Sequence, residues 1–131
     1  MVVLDSDIMI GILRDDTEAI KFMNKLDTTE ERLNTTVINT YELFHGAILH
    51  PKQKDVLDKV NHLLRSCNIL SFFPEASFLS AEISADLRKK GNIIDFQDIA
   101  IASIAISNGE KLVTRNIRDF SRIKGLKTEK W

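Results

Sequence analysis

The chain has 131 residues, of which 44% are hydrophobic and 28% charged, with a net charge of −1, the composition of an ordinary globular protein. No stretch approaches the ~20 consecutive apolar residues that span a bilayer, and the opening apolar run is too short for a secretory leader. The lone cysteine, Cys67, rules out an intrachain disulfide. A cytoplasmic protein folded as one domain over residues 1–131 is the expectation. The charge is unevenly spread: nine acids face four bases between Met1 and Glu42, and six bases face two acids between Glu110 and Lys127. An acidic pocket beside a basic rim fits this asymmetry, and so do two differently solvated surfaces.

In chain order, Val2–Leu4 reads as a buried first strand that ends on Asp5. Residues 8–26 have helical spacing with a break at Asp15-Asp16. The β-branched run Thr35–Ile38 reads as a second strand. Tyr41–Leu49 is helix-like, and Pro51 suits the first turn of a further helix running to about Cys67. Ile69–Phe73 is a third strand candidate. Pro74-Glu75 opens a helix to about Lys90 that Gly91 closes. Asp95–Ser107, rich in isoleucine and alanine, reads as a buried helix that Asn108-Gly109 ends. Lys111–Thr114 is a fourth strand, and a short fifth lies near Leu126–Thr128. The alternation predicts an α/β fold with a short, mostly parallel central sheet and helices on both faces.

Ligand sites of such sheets gather at the carboxyl ends of strands, and acidic residues recur there. Asp5 and Asp7 follow the first strand, and Glu42 opens the helix after the second. Asp98 lies in the first turns of the buried helix, one turn after Asp95. Asn116 and Asp119 follow the fourth strand. Carboxylates brought together repel, so either their pKa values rise or a cation binds. Carboxylate, amide and water oxygens suit Mg²⁺ or Mn²⁺, and such an ion activates water and offsets phosphate charge in phosphodiester hydrolysis. Singly, each acid has a plainer role: Asp5, Asp7 and Asp95 as N-caps, Glu42 as a first-turn acid favoured by the helix dipole. Asp98 is the hardest to explain that way, since its helix is otherwise apolar.

Three segments carry a resemblance to a known family. Val3-Leu4-Asp5-Ser6-Asp7-Ile8-Met9-Ile10 is similar to the opening "LDTNVLI" of PIN domains. Thr36 to Gly46 is similar to their "SxITxxELxxG". Ile94-Asp95-Phe96-Gln97-Asp98-Ile99-Ala100-Ile101-Ala102, followed by Leu112-Val113-Thr114-Arg115-Asn116-Ile117-Arg118-Asp119-Phe120, is the third and most specific stretch of the resemblance, and the chain closes with Gly125-Leu126 and Trp131 as VapC-type toxins often do. The resemblance spans nearly the whole chain and implies a single PIN-like domain with endoribonuclease activity, as in the toxin of a type II (VapBC) toxin–antitoxin system. It implies Mg²⁺, or Mn²⁺, held by Asp5 and Asp98 directly and by Glu42 directly or through water. Asn116 would stand at a fourth position that is Asp or Asn in relatives, with Asp119 assisting. Asp7 replaces the usual Asn of the opening motif and would either add a ligand or cap the first helix, and Ser6 retains a hydroxyl where Thr is common. An RNA substrate (tRNA or rRNA), a VapB-type antitoxin seated in the active-site groove, and a homodimer are implied as well, with no membrane partner. Arg115, Arg118, Arg122, Lys124 and Lys127, with Arg88, Lys89 and Lys90, are candidates for RNA phosphate contacts. Met9, Ile12, Leu13, Phe22 and Met23 are candidates for an apolar partner surface, or for core.

Other readings stay open on the residues alone. Asp5-Ser6-Asp7 also resembles the start of a haloacid-dehalogenase-like phosphohydrolase, with Asp5 as nucleophile, although the usual late lysine and acidic pair fit loosely. A receiver domain needs a phosphoacceptor near mid-chain, where this sequence reads as amphipathic helix. A catalytically silent PIN-fold binding module is a third reading, against which Asp5, Glu42 and Asp98 stand together. Glu42-x-x-His45 has metal-ligand spacing but no second copy.

Overall fold

The computed structural model describes all 131 residues. Five strands and seven helices follow in the order β1 (Val2–Leu4), α1 (Ser6–Leu13), α2 (Thr17–Thr28), β2 (Leu33–Thr36), α3 (Val37–Leu49), α4 (Gln53–Leu64), β3 (Asn68–Leu70), α5 (Pro74–Lys89), α6 (Phe96–Ser107), β4 (Lys111–Val113), α7 (Ile117–Phe120) and β5 (Thr128–Glu129). The strands form one sheet in the order β3-β2-β1-β4-β5, and every neighbouring pair is parallel. The expected α/β architecture is the one observed.

β1 lies at the centre because its three residues are apolar on both faces, the pattern of a strand covered from both sides. Val2 and Leu4 point into a core built with Met9, Ala19, Leu43, Val60 and Val113 under α1–α4. Val3 points the other way, into a core with Leu87, Ile101, Leu112 and Phe120 under α5 and α6. α6 is buried along most of its length, so its alanines and Ser103 set how closely α5 approaches. Ser80 Oγ on α5 donates to Ser103 Oγ at 2.8 Å, and that hydroxyl donates on to the Ile99 carbonyl at 2.8 Å, leaving neither buried polar group unpaired.

The chain goes from β1 outward to β2 and β3, then returns to β4 on the other side of β1. The carboxyl ends of β1 and β4 therefore flank a topological switch point, where an open parallel sheet presents a crevice.

The boundaries differ from expectation chiefly in three places; in addition β5 is Thr128–Glu129 rather than Leu126–Thr128, and Glu42, expected to open its helix, stands in the second turn of α3, so the first-turn dipole role does not apply to it. β2 ends at Thr36, and Val37 and Ile38 are already helical. Thr36 and Asn39 form a reciprocal capping box, which overrides the β preference of the run Thr35–Ile38. Pro51 lies in the turn before α4, whose first residue is Gln53 and last is Leu64. β3 ends at Leu70, because Phe73 takes the N-cap position and Pro74 the first turn of α5. The break at Asp15-Asp16 is as expected: Asp15 adopts a positive φ of 56°, and the Asp16 side chain accepts from the backbone N–H groups of Glu18 and Ala19. Gly91 and Gly109 end their helices at positive φ.

A candidate metal-dependent active site at the switch point

Asp5 is the first residue past β1. Its backbone N–H donates to the Val113 carbonyl at 3.0 Å, so the β1–β4 pairing itself sets its position. The side chain is 7% exposed. Oδ1 accepts from Ser6 N at 2.8 Å and from Asn39 Nδ2 at 3.0 Å, and Oδ2 accepts from Thr114 Oγ1 at 2.7 Å. Burial first, then the neighbouring charges of Asp7 and Glu42, outweigh these hydrogen bonds and push the carboxyl up to about 7.

Asn39, which sequence reasoning passed over, links the first two acids. It is fully buried. Its Oδ1 accepts from Thr36 N and Thr36 Oγ1, which leaves Nδ2 to donate to Asp5 Oδ1 and, at 2.9 Å, to Ser6 Oγ. Ser6 Oγ then donates to Glu42 Oε1 at 2.8 Å. One amide thus aims two carboxylates from different elements. The spacing Thr36-x-x-Asn39 was the available signal: it is a capping pattern, and it places the amide on the side of α3 that meets β1.

Asp98, in the first turn of α6, is half-buried. Burial, followed by the charges of Glu42, Asp95, Asp119 and Asp7, pushes it up to about 6. Glu42 and Asp7 thus act on both Asp5 and Asp98, and acids following β1, β2 and β4 meet α6 in one place, as the strand-end argument requires. Asn116 Nδ2 donates to Asp119 Oδ2 at 3.3 Å, so the amide orients that acid. Asp95 occupies the N-cap position of α6 but makes no capping hydrogen bond.

Asp7 neither caps α1 nor lies free. Its Oδ2 accepts from Arg115 N at 2.8 Å and lies 3.2 Å from Thr114 Oγ1, while its Oδ1 accepts from Trp131 Nε1 at 2.8 Å. Oδ2 thus holds the β4–α7 turn and Oδ1 holds the segment after β5. Thr114 and Trp131 are further residues whose part was not legible in the sequence. His45 stacks on Tyr41, ring planes 6° apart, which accounts for its place on α3 without a metal. Met9 is fully buried and Ile12, Leu13, Phe22 and Met23 pack against the core. Core is therefore the main use of this set.

None of the protein's ion pairs reaches Asp5, Asp7, Glu42, Asp98 or Asp119. Arg115, whose backbone N–H meets Asp7, turns its guanidinium to Asp16 and over the Trp131 ring. The cluster therefore concentrates negative charge that no side chain offsets. No three of these acids lie close enough to enclose an ion by themselves. The donor set fits Mg²⁺, an ion usually held by one or two carboxylates with water and substrate phosphate completing its shell. Beside Glu42, a groove of about 590 Å³ runs between α1, α3 and α4, lined by Ile10, Leu13, Gly46, Val56 and Val60 among others. The candidate phosphate-contact residues Arg115, Arg118, Arg122, Lys124 and Lys127 are all exposed, as are Arg88, Lys89 and Lys90, although Lys90 pairs with Asp86.

The PIN domain family model matches residues 2–126. The chain is 28% identical to ribonuclease VapC2 of Haemophilus influenzae over 98% of its own length and 96% of the relative's. It is 30% identical, with the same coverage, to the tRNA(fMet)-specific endonuclease VapC of Salmonella typhimurium. Among solved structures it is similar to that of VapBC2 from Rickettsia felis bound to a DNA fragment from their promoter. That match has a TM-score of 0.91 and 28% identity, and covers 100% of this chain and 99% of the other.

Proposed function

The chain belongs to the PIN-domain family, among its VapC-type members, and from that premise we propose that it is a divalent-metal-dependent endoribonuclease, the toxin of a VapBC-type toxin–antitoxin pair. One observation carries the reading: Asp5, Glu42, Asp98 and Asp119 gather at the β1/β4 switch point without an ion pair to any of them, and burial with the neighbouring charges raises the carboxyls of Asp5 and Asp98.

Asp5 and Asp98 would hold Mg²⁺ or Mn²⁺, with Glu42 as a direct or water-bridged third ligand. When bound, the ion supplies a lowered pKa for water and a counter-charge to the scissile phosphate. The protein's own groups do the rest. Asn39 and Ser6 keep Asp5 and Glu42 aimed. Thr114 fixes the other Asp5 oxygen. Asn116 holds Asp119 where it can orient water or take a proton. The exposed bases after β4 attract the RNA backbone, and such contacts position the substrate without reading sequence. An aspartyl nucleophile at Asp5 is disfavoured, since both its oxygens are tied to donors within a buried pocket.

The groove beside Glu42 offers a seat for an antitoxin segment: Ile10, Leu13, Leu43 and Ala47 make its α1 and α3 sides apolar, Asp55, Asp58 and Lys59 of α4 line it with charge, and it leads to Glu42. A homodimer and the cytoplasm are the assembly and location that go with this reading, and no helix is long and apolar enough to cross a membrane.

The test is cleavage of tRNA and rRNA by wild type and Asp98→Ala, each with Mg²⁺ and with EDTA. Cleavage by wild type with Mg²⁺ alone is expected. No cleavage by folded, metal-supplied wild type would turn the reading toward a silent binding module, and cleavage that persists in Asp98→Ala would remove Asp98 from the site.

A further inference from the structure

Trp131 is the only tryptophan in the chain, and it touches three parts of the fold: α1, the β4–α7 turn and its own segment after β5. Its indole Nε1 donates to Asp7 Oδ1 at 2.8 Å. The Arg115 guanidinium lies over its ring, 3.5 Å from the centroid, and Arg115 Nε donates to the Trp131 carbonyl at 3.3 Å. The ring tip reaches α1 at Gly11, where an added Cβ would come within 3.0 Å of it. The side chain therefore fastens the segment after β5 to α1 on one side and to the β4–α7 turn on the other.

We infer that Trp131 is a positioning residue of the acidic site. With Oδ1 fixed by the indole, Asp7 presents Oδ2 to Arg115 N and toward Thr114. That contact sets where β4 hands over to α7. It places Thr114 Oγ1 against Asp5 Oδ2 and lets Thr114 accept from Asn116 N at 3.0 Å, the residue that in turn orients Asp119. Removing the indole N–H leaves Asp7 held on one oxygen only. Its carboxylate can then rotate, and the turn carrying Thr114 and Asn116 loosens. Partners bonded directly to a metal ligand typically change metal affinity about 10–100-fold, and Trp131, which acts through Asp7 and Thr114, is expected at the lower end of that range. The alternative, that Trp131 merely fills the space over Gly11, predicts no such effect from losing one N–H while the ring stays.

The inference rests on the reading that Asp5, Asp98 and Glu42 hold a divalent cation, so the experiment measures the cation alone, without RNA. Mn²⁺ is titrated calorimetrically into full-length wild type and Trp131→Phe, which keeps a ring over Gly11 and beneath Arg115 but lacks the donor. Thermal unfolding in EDTA accompanies both. The expected result is a folded Trp131→Phe whose Mn²⁺ affinity is at least tenfold weaker. Equal affinity in the two proteins overturns the inference and leaves the cation site standing. No binding by wild type overturns the cation site, and the inference with it. If Trp131→Phe does not fold, the emission of Trp131 in wild type is followed on addition of Mg²⁺. A saturable change at the midpoint of a parallel calorimetric Mg²⁺ titration supports the positioning role, and no change at saturation overturns it.

Discussion

Asp5 is held by three donors yet titrates near neutrality, because removing its charge from water costs more than those hydrogen bonds return. Its folded pKa, about 7, lies above the ordinary value of 3.8, so between these pH values the folded chain keeps a proton that the unfolded chain has released. On this group alone, stability of the metal-free protein is greatest below the unfolded value, falls as pH rises, and levels off above about 7, a loss on the order of 4 kcal/mol. Protonated Asp5 can donate to Thr114 Oγ1, which frees the single Thr114 hydrogen for Asp7. Asparagine reproduces that arrangement without charge. Asp5→Asn should therefore abolish cleavage while raising the melting temperature in EDTA at pH 8 by several degrees, with little gain at pH 4. A variant less stable than wild type at pH 8 would show that the buried charge is already compensated. Asn39→Asp tests the same electrostatics from the other side. It keeps the acceptor that caps α3 but replaces the donor 3.0 Å from Asp5 Oδ1 with a second carboxylate. Urea unfolding should show a larger loss at pH 8 than at pH 5, and equal losses would mean that hydrogen-bond geometry, not charge, dominates there.

At the scale of elements, what the sequence made legible was periodicity, and what it hid was any contact between distant residues. Val2–Leu4, the broken α1–α2 pair and α6 follow from apolar spacing and helix-ending residues, so the sheet and its layers could be anticipated. The β2–α3 boundary could not be read from β-branched content, because the side-chain bonds of one threonine and one asparagine outweigh the intrinsic preference of Val37 and Ile38. The acids Asp5, Glu42 and Asp98 were legible because strand ends converge in a parallel sheet. Asn39 as their link, and Trp131 as the anchor of Asp7, were not: the second pair is 124 residues apart, and nothing local in either segment specifies it. Gly11 is an instance within a helix. Its conformation is ordinary, but a Cβ would lie 2.9 Å from Ala19 Cβ as well as close to Trp131. Alanine gains about 1 kcal/mol in helix propensity and is set against overpacking of about 1–3 kcal/mol between α1, α2 and the indole. The expected result is that Gly11→Ala loses stability, despite the better helix former, and that its denaturant midpoint falls with an unchanged slope. A higher midpoint would mean that α2 yields easily.

For the whole molecule, these arguments converge on coupling between cation binding, proton binding and stability. Both cores are apolar and satisfied: no buried side-chain nitrogen or oxygen lacks a partner. The concentrated, unoffset charge lies where the two cores meet the carboxyl edge of the sheet, and a cation bound there stabilises the fold by mass action, about 2.7 kcal/mol at 100 times its dissociation constant. For a chain of this size that corresponds to a rise in melting temperature on the order of 10 °C. Protons compete for the same oxygens. At pH 8, Asp5 and Asp98 are ionised and Mg²⁺ binds against no proton. At pH 5, below both raised pKa values, the ion must displace protons first, and its effect on melting should shrink several-fold at equal concentration. Melting curves with 10 mM Mg²⁺ or EDTA at the two pH values separate this from a general salt effect, which would act alike at both. The pH-dependent part should also disappear in Asp5→Asn. If Mg²⁺ stabilises that variant as strongly as wild type, the ion binds elsewhere on the acidic surface and the switch-point site is not its seat.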